Sequence, residues 1–271
     1  MAGAPAPNSL QTGNLCRIAF MNDRQIIRPI AYVRSDYNQK FGIPRQANLV
    51  DGLEQAIVIE PEFRNMDALR GITGFDYIWV IWGFSETSLD MDAEHVKWKP
   101  TVRPPRLGGD ERMGVWATRS PYRPNSLGLS NVRIRRVELD GAMVDPDERK
   151  GMVSGELAVI IAGADMMNGT PVYDIKPYMP YSDSHPDARA GFTERSRDRF
   201  LQVDFPPSLL EMIDEEKRDG LIQTLRLDPR DAYNRKSAHT YRLSFSEYDI
   251  RFEVNGDTLS VTDVVTERSY E

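Results

Sequence analysis

Residues 113–130 concentrate side chains that could bind a charged ligand. An apolar stretch at residues 115–117 leads into Arg119 and Ser120, and two prolines fix the backbone around Arg123 before Asn125 follows. Two guanidiniums, hydroxyls and an amide on one stiff loop suit recognition of a charged, hydrogen-bonding ligand. A purely structural loop is the alternative interpretation of this segment.

A second segment places three reactive side chains in line after a predicted turn at residues 168–169. Asp174, Lys176 and Tyr178 alternate along a predicted strand and share one face with Val172, because successive side chains of a strand point to opposite faces. A carboxylate, an amine and a phenol together could orient a substrate or transfer a proton. A structural Asp–Lys ion pair explains the same spacing equally well.

A third segment, Asp-Pro-Arg-Asp-Ala-Tyr-Asn-Arg, occupies residues 228–235. Its proline predicts a turn. Arg230, Tyr233 and Arg235 suit base stacking and phosphate contact, although an ordinary loop would read the same way.

Cationic residues cluster in one part of an otherwise acidic chain. The formal net charge is -7, yet residues 97–136 contain ten lysines and arginines against only Asp110 and Glu111. Such a local field could attract a polyanion to one face of the protein. The alternative is a solvated surface whose cations pair with the acidic remainder.

Composition and missing motifs exclude several classes of protein. Hydrophobic content of 40% and charged content of 28% in 271 residues are typical of a soluble globular protein with a full core. A single cysteine, Cys16, excludes an internal disulfide and suits a reducing compartment. The chain has no dinucleotide-binding glycine motif, no Walker loop and no nucleophile elbow. Because its three histidines lack metal-ligand spacing, we expect no metal site.

The elements that must position these segments are mostly strands. Apolar, β-branched or aromatic runs predict strands at residues 26–34, 56–60, 75–84, 129–139, 152–161 and 170–178, with a helical turn at 61–69. Three prolines and two glycines make residues 100–109 an extended loop that presents Arg103 and Arg106. Six strands with little helix predict an all-β barrel or sandwich up to about residue 181.

The composition changes after this region. Residues 208–226 have a helical pattern that we expect to be broken by Gly220, and residues 241–265 read as strands with a hairpin turn at Asn255-Gly256. We therefore predict three parts: a flexible extension at residues 1–25 without the features of a secretory signal, a β domain at 26–185 and a small α+β domain at 186–271.

Four motifs, in this order, resemble those of the TsaA-like TrmO family of S-adenosylmethionine-dependent tRNA methyltransferases. They are Pro-Pro-Arg-Leu-Gly-Gly at 104–109, Ala-Thr-Arg-Ser-Pro-Tyr-Arg-Pro-Asn at 117–125, Asn-Gly-Thr-Pro-Val-Tyr-Asp-Ile-Lys-Pro-Tyr at 168–178 and Asp-Pro-Arg-Asp-Ala-Tyr at 228–233. The resemblance runs from about Ile30 to the C-terminus. It implies a mainly β fold, with a single-sheeted antiparallel β-barrel domain followed by a small α+β C-terminal domain, and a cytoplasmic homodimer without membrane or metal association.

The resemblance also implies the reaction and the cofactor site. The reaction is methylation by S-adenosylmethionine of N6 in threonylcarbamoyladenosine at position 37 of tRNA, next to the anticodon. Ser85-Glu86 stands where a close relative would have His-Gln. The cofactor contacts carried over by motif are Pro44, Arg45, Gln46, Ser85, Glu86, Arg119, Leu129, Ala162, Gly163, Ala164 and Asp165.

The remaining candidates follow from the needs of the substrate. Arg119 and Arg45 should hold the carboxylate of the methionine moiety or a phosphate, because the sulfonium is itself a cation. Asn125 could orient the base edge, and Asp174 or Tyr178, with Lys176 nearby, could assist loss of the N6 proton. The candidates for contact with tRNA are Arg103, Arg106, Arg123, Asp228, Arg230, Tyr233 and Arg235.

Two other functions share these features. The first is a non-catalytic RNA-binding module, which the Ser85-Glu86 departure favours. The second is a small-molecule methyltransferase on the same barrel, against which the separate domain rich in arginine and tyrosine argues.

Overall fold

The computed structural model describes residues 26–85, 98–104, 111–195, 200–230 and 239–266, and the predicted extension at residues 1–25 lies outside these ranges. The described chain is built mainly of strands. In chain order they are β1 (Ala31–Arg34), β2 (Glu54–Ile59), β3 (Tyr77–Gly83), β4 (Thr101–Val102), β5 (Met113–Gly114), β6 (Leu127–Leu139), β7 (Ala142–Val144), β8 (Leu157–Ala162), β9 (Pro171–Pro177), β10 (Gln202–Asp204), β11 (Tyr241–Phe245), β12 (Tyr248–Asn255) and β13 (Thr258–Thr266).

The larger sheet contains seven antiparallel strands in the order β3-β9-β1-β2-β8-β6-β7. Strand β3 also pairs with β6 over its whole length, so the pairings return to the strand from which they start. The predicted mainly β, antiparallel fold is confirmed. Asp140 and Gly141, both with positive φ, form the two-residue loop between β6 and β7, as the right-handed twist of a hairpin favours.

The apolar side chains of β8 do not alternate with polar ones, and the burial of this strand explains why. All six of its residues are buried. Val159 and Ile161 belong to the main core of the sheet, whereas Ala158 and Ile160 pack with Ala56 on its other face. A strand covered on both faces needs apolar side chains at every position.

The short helix α1 (Pro180–Asp183) follows β9. The C-terminal part then combines a four-stranded sheet, in the order β10-β13-β12-β11, with two α-helices among its described residues, α2 (Pro207–Leu210) and α3 (Glu215–Arg226). Its core includes Tyr37, Val50 and Leu53 from the N-terminal half. The buried hydroxyls of Tyr37 and Thr224 lie 3.0 Å apart, and burial raises the pKa of this tyrosine. The two halves are therefore joined by shared packing. No helix within the described ranges is long and apolar enough to span a membrane.

Two predictions about the C-terminal part are wrong in detail. Gly220 lies inside α3, and the helical pattern is interrupted at residues 211–214 instead. A Cβ at Gly220 would stand 2.2 Å from Cγ of Leu53, so the glycine permits close packing. The hairpin of residues 241–265 forms as predicted, but Asn255 pairs with Thr258 and the loop is Gly256-Asp257.

The predicted alternation along residues 172–178 is also wrong at its start. Ile81 pairs with Asp174 and Trp82 with Val172, so Tyr173 is an extra residue at a bulge. The bulge turns Val172 into the core and away from the face that Asp174 occupies.

Candidate active site

A cavity of about 650 Å³, here called the main cavity, opens beside the pairing of β3 with β6. Ile81 and Leu129 are direct cross-strand partners in its wall, and Leu129 is 54% exposed. Its polar side comes from loops that carry Arg45, Gln46 and Arg119. The apolar wall consists of Trp79, Ile81, Trp82, Phe84, Leu127 and Leu129.

Close approach of two strands shapes the apolar wall. Trp82 pairs with Gly128 across β3 and β6. A Cβ at Gly128 would lie 2.2 Å from the indole of Trp82, so only glycine lets the ring lie against the neighbouring backbone.

A chain of two hydrogen bonds fixes a carboxylate at the edge of the main cavity. The indole N–H of Trp82 donates to the buried hydroxyl of Ser130 at 2.9 Å, and that hydroxyl donates to Oδ1 of Asp165 at 2.5 Å. Burial raises the pKa of Asp165, whereas the hydrogen bond from Ser130 and the charge of Arg119 oppose the rise. These two hydrogen bonds hold the carboxylate of Asp165 in one orientation toward the main cavity.

The guanidinium groups around the main cavity are held differently. Arg119 donates from Nη1 to Oε1 of Gln46 at 2.5 Å, which aligns two predicted cofactor contacts. Arg123 donates from Nη2 to the carbonyls of Val115 and Thr118, so it stabilises its own loop. Its Nε is buried and has no acceptor among the described residues.

The Asp-Pro-Arg segment reaches the main cavity through its backbone. Arg45 donates from Nη2 to the carbonyl of Arg230 at 3.5 Å. Asp228 and Arg230 are 2% and 5% exposed and pair with each other at 2.7 Å. Their side chains are therefore occupied inside the protein, which favours a role in holding the segment over direct contact with a substrate.

Most of the predicted cofactor residues that the structure describes come together here. Those that line the main cavity are Pro44, Arg45, Gln46, Ser85, Arg119, Leu129 and Asp165. Ala162, Gly163 and Ala164 lie behind it: Ala164 belongs to the core, and the carbonyl of Gly163 accepts the backbone N–H of Asn48. They position Asp165 at the end of β8.

The predicted catalytic residues lie beside the cavity and outside its lining. Lys176 and Asp174 are cross-strand partners of Trp79 and Ile81, so they share the face of the sheet that bears the apolar wall. Lys176 pairs with Asp174 at 3.0 Å, with both side chains exposed. Tyr178 packs against Trp79, with ring centroids 5.9 Å apart. Asn125 is exposed in the turn before β6.

Arg103 lines a second cavity of about 1040 Å³, here called the cationic groove. Lys99, Arg112 and Trp116 also line it. The two cavities share Arg45, Gln46, Arg119 and Pro121. They are therefore neighbours along one wall. Glu86, Arg106, Tyr233 and Arg235 lie outside the described residues.

Trp79, Trp82 and Ser130 also line the main cavity, although no sequence motif predicts them there. Residues 75–84 were interpreted as a strand buried because it is aromatic, yet Trp79 and Ile81 are only half-buried. The available signal is the presence of two tryptophans in this short run, because aromatic side chains commonly line ligand pockets. Ser130 carried none, because its partners are distant in the sequence.

Two family models match the chain along most of its length. The tRNA-methyltransferase O N-terminal domain matches residues 32–184, and the TrmO C-terminal domain matches residues 198–267. The protein of Escherichia coli (strain K12) named "tRNA (adenine(37)-N6)-methyltransferase" is 33% identical over 233 residues, covering 83% of this chain and 91% of the relative.

Further relatives agree with these matches. A Pseudomonas aeruginosa protein named "Putative S-adenosylmethionine-dependent methyltransferase RcsF" is 31% identical over 255 residues, covering 88% of this chain and 96% of the relative. The crystal structure of TrmO from P. aeruginosa superposes with a TM-score of 0.66 at 27% identity, covering 91% of this chain and 99% of that one.

Proposed function

The chain belongs to the TrmO family of tRNA methyltransferases, and we propose that it transfers a methyl group from S-adenosylmethionine to N6 of adenosine 37 in tRNA. The observation that carries the proposal is the main cavity, in which an apolar aromatic wall faces an aligned arginine and a fixed carboxylate. Proteins similar to this chain are named for the same reaction and the same cofactor.

The residues present fit such a cofactor. S-adenosylmethionine has both a carboxylate and cationic groups. When bound, it supplies an electrophilic methyl group. The exposed side chain of Leu129, beside Ile81, offers an apolar surface for an adenine. Arg119, aligned by Gln46, is placed to bind a carboxylate, and Asp165 is placed to bind a cationic group.

We propose threonylcarbamoyladenosine as the substrate base. Its threonyl carboxylate needs a cation, and Arg123, which lines the main cavity, is the candidate. Its amide-like N6–H needs orientation and a proton acceptor. Asn125 is the candidate for orientation, and Asp174 or Tyr178, with Lys176 beside Asp174, is the candidate for assisting proton loss.

The assembly and the cell compartment belong to the same proposal. We expect a homodimer, in the cytoplasm, where its tRNA substrate resides. The return of the strand pairings from β6 to β3 supports the expectation that the larger sheet is the barrel of the family.

Nucleoside mass spectrometry tests the proposed reaction. The purified protein is incubated with S-adenosylmethionine and with two tRNAs, one carrying threonylcarbamoyladenosine at position 37 and one carrying plain adenosine. We expect a methylated nucleoside only from the first tRNA. Methylation of the plain tRNA alone would refute threonylcarbamoyladenosine as the substrate base. Binding of tRNA without any methyl transfer would identify the protein as a non-catalytic RNA-binding relative.

A further inference from the structure

Two tryptophan rings stand exposed next to the cationic groove. Trp116 is 76% exposed and Trp98 is 39% exposed, and their rings stack with centroids 5.7 Å apart at an interplanar angle of 19°. Because Trp98 covers one face of Trp116, the other face remains available to a flat partner. A contiguous exposed apolar patch, in contrast to a single exposed apolar residue, is a mark of an interaction site.

The backbone that carries Trp116 is firmly held. Val115 is buried, and its N–H donates to the carbonyl of Pro100 at 3.0 Å. The N–H and the hydroxyl of Thr118 both donate to the carbonyl of Val115. Trp116 is thus fixed between anchored neighbours, so a partner that stacks on it need not order the loop first.

The charges beside Trp116 favour an anionic partner. Lys99 lies 4.1 Å from the ring centroid of Tyr122, and Arg112 donates to the hydroxyl of Thr101 in the same groove. The residues that line the groove include five cations: Arg45, Lys99, Arg103, Arg112 and Arg119. Flat aromatic faces combined with cations are the recognition mode of single-stranded nucleic acid, in which bases stack and phosphates pair with cations.

We propose that the cationic groove binds unpaired nucleotides of the tRNA anticodon loop, with one base stacked on the open face of Trp116. The proposal rests on the proposed function and adds a defined subsite to it. The groove meets the main cavity at Arg45 and Arg119, so a loop seated on Trp116 leads directly to the cofactor wall. Trp116 then sets affinity for RNA, and the main cavity sets affinity for the cofactor.

The test uses the full chain and three variants: Trp116→Ala, Trp116→Phe and Met143→Ala. Met143, on β7, is 75% exposed and provides a matched control outside both cavities. Affinity for tRNA is measured by fluorescence anisotropy, affinity for S-adenosylmethionine by calorimetry, and mass in solution by light scattering. Loss of one stacked base weakens binding about 5- to 150-fold.

We expect Trp116→Ala to lose tRNA affinity by that factor and to raise KM for tRNA, with cofactor affinity and mass unchanged. Trp116→Phe should recover most of the loss, and Met143→Ala should bind as wild type. Unchanged tRNA affinity in Trp116→Ala would overturn the proposal. A halved mass would also overturn it, because a second copy of the chain would then cover Trp116. If the wild-type protein binds tRNA through Trp116 but never methylates it, RNA binding by the cationic groove is supported and the proposed methyl transfer is refuted.

Discussion

Replacement of Asp165 by asparagine removes the charge of this side chain while nearly preserving its shape. The amide oxygen can still accept the hydrogen bond that Ser130 donates, so the link to Trp82 survives. What disappears is the attraction between the carboxylate and a cationic group of the cofactor. A hydrogen bond to a charged group contributes about 1.5–3 kcal/mol, which corresponds to roughly a 10- to 150-fold weaker Kd.

The stability of the variant should change with pH in a defined direction. Burial raises the pKa of Asp165 in the folded state. A carboxyl with a raised pKa stabilises the fold while it is protonated, and that contribution is lost as the pH rises from the ordinary aspartate value through the raised one. Asparagine does not ionise. The free energy of unfolding of Asp165→Asn should therefore increase relative to wild type across that pH range, while its cofactor affinity stays low.

The assay combines calorimetric titration of S-adenosylmethionine with urea unfolding at several pH values. Asp263→Asn is the control, because Asp263 lies on β13 and pairs with Arg251 far along the chain from the main cavity. We expect this control to bind the cofactor as wild type does. A wild-type Kd for Asp165→Asn would refute the assignment of Asp165 to the cofactor site.

Three other results follow from the same structure. Gly128→Ala should lose about 1–3 kcal/mol of stability in chemical denaturation, and also cofactor affinity, because the added Cβ meets the indole of Trp82. Gly74→Ala is the control and should be nearly neutral, because the space around its Cβ is open. Asp228→Asn should lose about 3–5 kcal/mol in the same assay, because it leaves the buried guanidinium of Arg230 without its carboxylate. Binding of tRNA should weaken steeply with salt, with a linear fall of log K against log salt concentration in a filter-binding series.

Each of these predictions has an outcome that would contradict it. Glu156→Gln removes the exposed pair with Arg34 and should cost less than about 1 kcal/mol, so a loss equal to that of Asp228→Asn would contradict the weight given to burial. Wild-type stability of Gly128→Ala would show that the contact of Trp82 with the strand is not tight. A flat salt response would exclude phosphate contacts as the main source of tRNA affinity.

The sequence predicted those elements whose signals are local. The aromatic run of residues 75–84 became β3, residues 129–139 became most of β6, and the hairpin near Asn255 formed. Strand starts were less accurate, since β1 begins at Ala31 and β8 at Leu157, later than their apolar patterns suggest. The apolar residues that extend these patterns are exposed, since Ile26 is 88% and Met152 58% exposed, so they do not belong to a buried strand.

The remaining differences depend on contacts that no local pattern encodes. Gly220 looked like a helix breaker, yet Leu53, distant in sequence, requires the space above it. The bulge at Tyr173 comes from pairing with β3 and reverses the face of Val172. The bonds that join Trp82, Ser130 and Asp165 connect three separate segments. The motif resemblance found the loops around the main cavity, but not the strand residues that form its wall.

A crystal structure of the protein with S-adenosylmethionine would show whether the main cavity is the cofactor site. We expect density for the cofactor in the main cavity, with an apolar contact to Leu129, its carboxylate toward Arg119 and a cationic group toward Asp165. Cofactor bound elsewhere on the chain, or crystals that never take it up at saturating concentration, would refute the assignment of the main cavity.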